Sequence, residues 1–66
     1  MNNEKNKTIY TIRFADGTRE SSSTNLSPEE TMLRMVSTCR DCNKMGDGIT
    51  DLEVDGYGRW DFILNP

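Results

Sequence analysis

Two turn signals with a single helix start between them constrain this chain more than any other feature. The first turn is Ala15-Asp16-Gly17-Thr18 and the second is Asp55-Gly56-Tyr57-Gly58; between them Ser27-Pro28-Glu29-Glu30 opens a helix. Asp-Gly and Gly-Tyr-Gly supply the residues that tight hairpin turns demand. Ser27 suits the N-cap, Pro28 the first helical position where its missing N–H costs nothing, and Glu30 the third position of a capping box. The order read from these signals is ββαββ. One amphipathic helix and two hairpins bury their apolar faces against each other, which predicts an α+β fold: one helix packed on a four-stranded antiparallel sheet, a two-layer sandwich.

Periodicity fills in the elements. Residues 8–14 alternate, with Tyr10, Ile12 and Phe14 on one face and Ile9, Thr11 and Arg13 on the other. A two-residue type I′ loop at Asp16-Gly17 would set Arg13 opposite Glu20. The returning strand, 18–24, is almost wholly polar and reads as a sheet edge whose inward positions would be Arg19, Ser21 and Ser23. On the helix, Met32, Met35, Val36 and Cys39 cluster on one side with Leu33 at the margin, and the helix should end near Cys42 or Asn43. In the second hairpin, a loop of odd length turns Leu52 and Val54 to the same face as Trp60, Phe62 and Leu64. With Gly56-Tyr57-Gly58 as that loop, Val54 faces Trp60, Leu52 faces Phe62, Asp55 faces Arg59, and Glu53 faces Asp61.

The 66 residues suffice for one small core, read as a domain over 8–66 after a flexible arm over 1–7. Such a core supplies a few kcal/mol of net stability at most, about what small domains reach without staples. Histidine is absent, so the commonest acid–base group and metal ligand is missing. The start of the chain has no apolar stretch of the secretory kind, and no run is long enough to span a membrane, so a cytoplasmic location is expected. The net charge is −3, and Asp47, Asp51, Glu53, Asp55 and Asp61 stand against Arg59 alone in the last third. A duplex-binding protein normally shows the opposite bias, and direct nucleic-acid binding is not expected.

Each chemical constellation has a plain competitor. Cys39-Arg40-Asp41-Cys42 is a CxxC, but a structural zinc site takes about four ligands, and a helix C-terminus disfavours a thiolate. Cys39 therefore reads as a small core residue with Cys42 as its half-buried neighbour. The run Asp51-Leu52-Glu53-Val54-Asp55-Gly56 resembles the opening of an EF-hand calcium loop, yet its twelfth position is Phe62 rather than a glutamate, and a strand explains the same alternation. No serine has a histidine to activate it. No catalytic residue, metal site or cofactor is assigned.

What remains is the outward face and turn of the second hairpin: Asp51, Glu53, Asp55, Tyr57, Arg59 and Asp61. Opposed carboxylates are costly unless a cation meets them, and a tyrosine at a loop tip makes a good contact residue. The leading expectation is a non-enzymatic interaction module, an inhibitor or adaptor that masks a basic or nucleic-acid-binding protein. In size, acidity and lack of a catalytic set the chain looks like accessory proteins of phages and other mobile elements. The competing expectation is a homodimer that binds or sequesters a nucleotide-like small molecule, with Arg19, Ser21 and Ser23 as ligand contacts. Simple pairing of strand 18–24 with its copy in a homodimer is a third.

Overall fold

The structure, a computed structural model, describes residues 7–66. Of the arm expected over 1–7, only Lys7 lies inside the described residues, and it is exposed. The elements are β1 (Thr8–Phe14), β2 (Arg19–Thr24), α1 (Pro28–Lys44), β3 (Ile49–Val54) and β4 (Gly58–Asp61). The strands form one antiparallel sheet in the order β2-β1-β3-β4, and α1 packs on one face over β3 and β1. The fold is thus the α+β two-layer arrangement that the turn and helix signals imply. No helix among the described residues is long and apolar enough to cross a membrane.

The helix begins as its capping residues dictate. Ser27 Oγ accepts from the Glu30 N–H at 3.2 Å, and Pro28 occupies the first turn. The reciprocal half of a capping box is replaced by an ion pair: the Glu30 carboxylate turns to Arg34 Nε at 2.7 Å. Thr31 is fully buried, and its hydroxyl is satisfied by the Ser27 carbonyl at 2.7 Å. The helix runs to Lys44, slightly past the expected end, because the N–H groups of Met45 and Gly46 turn back to the carbonyls of Cys42 and Asn43. Asn43 then ties the helix to the sheet: its amide donates to the Ile49 carbonyl at 3.0 Å and accepts from the Ile49 N–H at 2.7 Å.

The core is a strip along α1 and β3, made of Met32, Val36 and Cys39 against Ile49, Leu52, Val54 and Phe62. Tyr10, Ile12, Phe14, Met35 and Trp60 pack around it half-buried. Leu33, at the margin of the apolar stripe, is exposed.

Both hairpins have three-residue loops, and this changes two registers. In the first, Phe14 pairs with Thr18 through the Phe14 N–H and Thr18 carbonyl at 2.9 Å, so the loop is Ala15-Asp16-Gly17. Only Gly17 has positive φ, +92°; Asp16 stays in ordinary backbone and its carboxylate caps the turn, accepting from the Thr18 N–H and hydroxyl. Arg13 therefore faces Arg19, not Glu20, and Ile12 faces Glu20. The slip of one residue reverses every side chain of β2. Arg19, Ser21 and Ser23 lie on the outer face with Arg13, Thr11 and Ile9, not inward as expected; the Thr11 and Ser21 hydroxyls meet at 2.9 Å.

In the second hairpin the loop is Asp55-Gly56-Tyr57, with Gly56 at φ +83° and the Tyr57 N–H bonded to the Val54 carbonyl. Its odd length keeps the expected inward parity of Leu52, Val54, Trp60 and Phe62, but the pairing moves on by two. Leu52 faces Trp60, Val54 faces Gly58, Glu53 faces Arg59, and Asp51 faces Asp61. Leu64 is not part of the inward set: it is 77% exposed. Asp61 ends the strand first, its carboxylate accepting from the N–H groups of Ile63 and Leu64 and its carbonyl from Asn65.

Candidate interaction surface

β3 and β4 carry their carboxylates on the face away from the helix, as alternation requires. What meets them comes partly from β1. Sheet order sets β1 beside β3, so Arg13 lies directly across from Asp51. Arg13 Nη1 donates to Asp51 Oδ2 at 3.0 Å, and Nη2 to Glu53 Oε1 at 2.9 Å. Arg59 Nε donates to the same Asp51 oxygen at 2.9 Å, and Arg59 Nη2 sits 3.7 Å from Asp61 Oδ2. The like-charged pair Asp51–Asp61 is thus bridged by an arginine.

The network changes what each carboxylate offers. Asp51 is only 5% exposed although it points outward, with the guanidinium groups of Arg13 and Arg59 both on its carboxylate. Burial alone would push its carboxyl up; the hydrogen bonds from Arg59 and Arg13, with their charges, outweigh that and hold it below the ordinary carboxylate range. The Arg13 guanidinium is held the more firmly protonated by Glu53 first and Asp51 second. Glu53 keeps 45% of its side chain in water and Asp61 25%. Asp55 is exposed and makes no ion pair with the described residues. Arg13 was the residue that sequence reasoning missed. Its outward direction was legible, but its partners lie 38 and 40 residues away and depend on strand order.

Tyr57, at the tip of the second hairpin, is 57% exposed. It borders a groove of about 250 Å³ lined also by Met32, Leu33, Val36, Arg40 and Trp60. The hairpin tip is drawn against the helix start, where a Cβ on Gly56 would stand 3.4 Å from Pro28 Cγ. Arg40 closes one end, its guanidinium 5.4 Å above the Trp60 ring and its Nε donating to the Pro66 carbonyl at 3.2 Å. Trp60 Nε1 donates to the Asn65 carbonyl. Tyr57, Leu33 and the open side of Trp60 thus form an apolar strip on the helix side of the second hairpin, opposite its charged face.

Arg19, Ser21 and Ser23 share one face but stand on an open edge strand, all exposed. Both thiols of the CxxC are free; Cys39 is buried and Cys42 half-buried. Burial, with Cys42 nearby, pushes the Cys39 thiol up to about 11, and Cys42 is also raised, chiefly by desolvation. Among the described residues no three His, Cys, Asp or Glu side chains converge as a metal site would need. The segment with an EF-hand-like start is the second half of β3 and its turn, with Leu52 and Val54 in the core. The chain matches no protein-family model, no curated protein and no solved structure.

Proposed function

We propose that this protein is a non-enzymatic interaction module, an inhibitor or adaptor that occupies a functional surface of a partner protein. The observation that carries this reading is the exposed Tyr57 beside the apolar strip of Leu33 and Trp60, with Arg40 at one end. An aromatic anchor next to a shallow apolar groove, rimmed by charged groups, is the composition of binding hot spots. Arg40 bounds the groove and Asp55 is near Tyr57 in the turn, while Glu53, Arg59 and Asp61 lie on the other face of the same hairpin, where Asp51 holds Arg13 and Arg59 in place. The net charge of −3 and the uncompensated Asp55 favour a basic partner surface, including that of a nucleic-acid-binding protein. A phage or mobile-element origin belongs to the same reading, on size and composition alone.

The test is affinity capture on the tagged chain, followed by titration of the isolated partner with wild type, Tyr57→Ala and Leu33→Asp. Each substitution should weaken binding by roughly tenfold or more while the melting temperature stays within a few degrees. Added salt should weaken it further. Undiminished affinity in both variants would remove this surface from consideration. A nucleotide panel that raises the melting temperature would favour the ligand-binding alternative instead.

A further inference from the structure

The sheet has two edges, and they leave very different lengths of main chain open. At β4, the main-chain groups that face away from β3 are those of Arg59 and Asp61, and the Asp61 carbonyl is taken by the Asn65 N–H at 2.9 Å. The strand is short, and the chain turns across its end. At β2 the open edge is longer and, among the described residues, none of its outward main chain is taken. The Phe14–Thr18 pair is hydrogen-bonded, so alternation assigns the Glu20, Ser22 and Thr24 main chain to β1. The N–H and C=O groups of Arg19, Ser21 and Ser23 therefore point outward, and none has a main-chain partner among the described residues. The devices that normally protect an edge are missing: the strand Arg-Glu-Ser-Ser-Ser-Thr has no proline, no lysine and no bulge. Its side chains are small except at one end.

We infer that β2 is a self-association edge, where a second copy of this chain adds its own β2 antiparallel to form one continuous sheet across a two-fold axis at Ser21. The register follows from which groups point outward. Only pairs among Arg19, Ser21 and Ser23 can exchange main-chain hydrogen bonds, and the arrangement that uses all of them sets Ser21 opposite Ser21 and Arg19 opposite Ser23. On the other face Glu20 meets Ser22. No like charges stand opposite each other in this register, and serine at the axis lets the backbones approach. Both helices rise from the same side of the joined sheet. This edge lies across the sheet from the second hairpin, so the inference is independent of the proposed partner surface.

An edge contact built from main-chain bonds buries little area, so the dimer should form in the micromolar range or above, about where small transient interfaces lie. The test is sedimentation velocity on the full chain from about 5 µM to about 1 mM, a range spanning such affinities. The expected result is a shift from one chain's mass to two. Ser21→Pro removes a donor that the fold does not use, and it should raise the dissociation constant by on the order of tenfold while preserving the circular dichroism spectrum. Ser21→Lys and Ser21→Glu should each associate more weakly than wild type, yet mix to a heterodimer, because the two-fold axis sets residue 21 against itself. In wild type, the amides of Arg19, Ser21 and Ser23 should exchange more slowly as concentration rises, a readout that needs no variant. A wild type that stays monomeric up to about 1 mM, far above such affinities, overturns the inference. So does a dimer that survives Ser21→Pro unchanged, a lysine–glutamate mixture that gains nothing, or edge amides indifferent to concentration.

Discussion

Asp51 is the residue on which the outer face turns. It is buried, charged, and hydrogen-bonded by two arginines that are themselves partly in water. Replacing it with asparagine removes the charge shared by Arg13 and Arg59 and leaves them at most a neutral amide oxygen, and should cost about 2 kcal/mol, as for loss of hydrogen bonds to a charged group. Chemical denaturation of the variant against wild type measures this. The pH dependence has a definite sign. The folded carboxyl lies below its ordinary value of 3.8, so its stabilisation is complete above that value and is lost as pH falls through the lower, folded one. Stability should thus decline below about pH 4, the ordinary carboxylate range, and decline less in Asp51→Asn. Cys39 acts at the other end of the scale. Its thiol is raised from 9.0 to about 11, so the folded state keeps the proton that the unfolded chain has lost, and stability falls as pH climbs between those values. Thiol reagents at neutral pH should modify half-buried Cys42 first and reach Cys39, 1% exposed, only on opening.

At the scale of elements, the junctions matter more than the strands. Asn43 pairs with both main-chain groups of Ile49 and so stands in for a strand neighbour where the helix hands over to β3. Asn43→Ala should cost about 2 kcal/mol, since it orphans a buried N–H and C=O together, whereas Ser27→Ala should cost nearer 1 kcal/mol, the usual value of an N-cap. Thermal melts of the two variants test that ranking. These junctions also mark how far the sequence could be read. Element order, the N-cap, the polar edge strand and the inward parity of the second hairpin follow from local signals, and local signals are what a sequence displays. The first hairpin register did not follow, because it depends on whether Asp16 takes positive φ or instead caps the turn with its carboxylate. Both are open to an Asp-Gly pair, and the Thr18 hydroxyl and N–H decide for the cap. The arginine network was out of reach for a different reason: it needs β1 beside β3, a pairing across the helix that no neighbouring residues encode.

Across the whole molecule, protection from solvent runs as a gradient from β3 to β2. β3 lies under the helix and holds Leu52 and Val54 at 0% and 1% exposure. β2 is exposed along nearly its whole length, because the helix covers β1 and β3 and stops short of it. What secures β2 is its ladder to β1 and the connection beyond it, where buried Thr8 donates its hydroxyl to the Leu26 carbonyl at 2.7 Å. An element with hydrogen bonds but almost no apolar burial opens locally, without the rest of the fold. At concentrations that keep the chain monomeric, the amides of Glu20 and Ser22 should therefore exchange by a route insensitive to low denaturant. Those of Thr11 and Glu53, on the β1–β3 ladder, should exchange only with global unfolding and show its full denaturant slope. Residue-resolved native-state exchange separates the two outcomes. If Glu20 and Ser22 follow the same slope as Glu53, the sheet opens as one unit and its polar edge is held by more than its hydrogen bonds to β1. If they do not, the same weakness that lets β2 open is what a second copy would relieve, by supplying the neighbour that the fold leaves out.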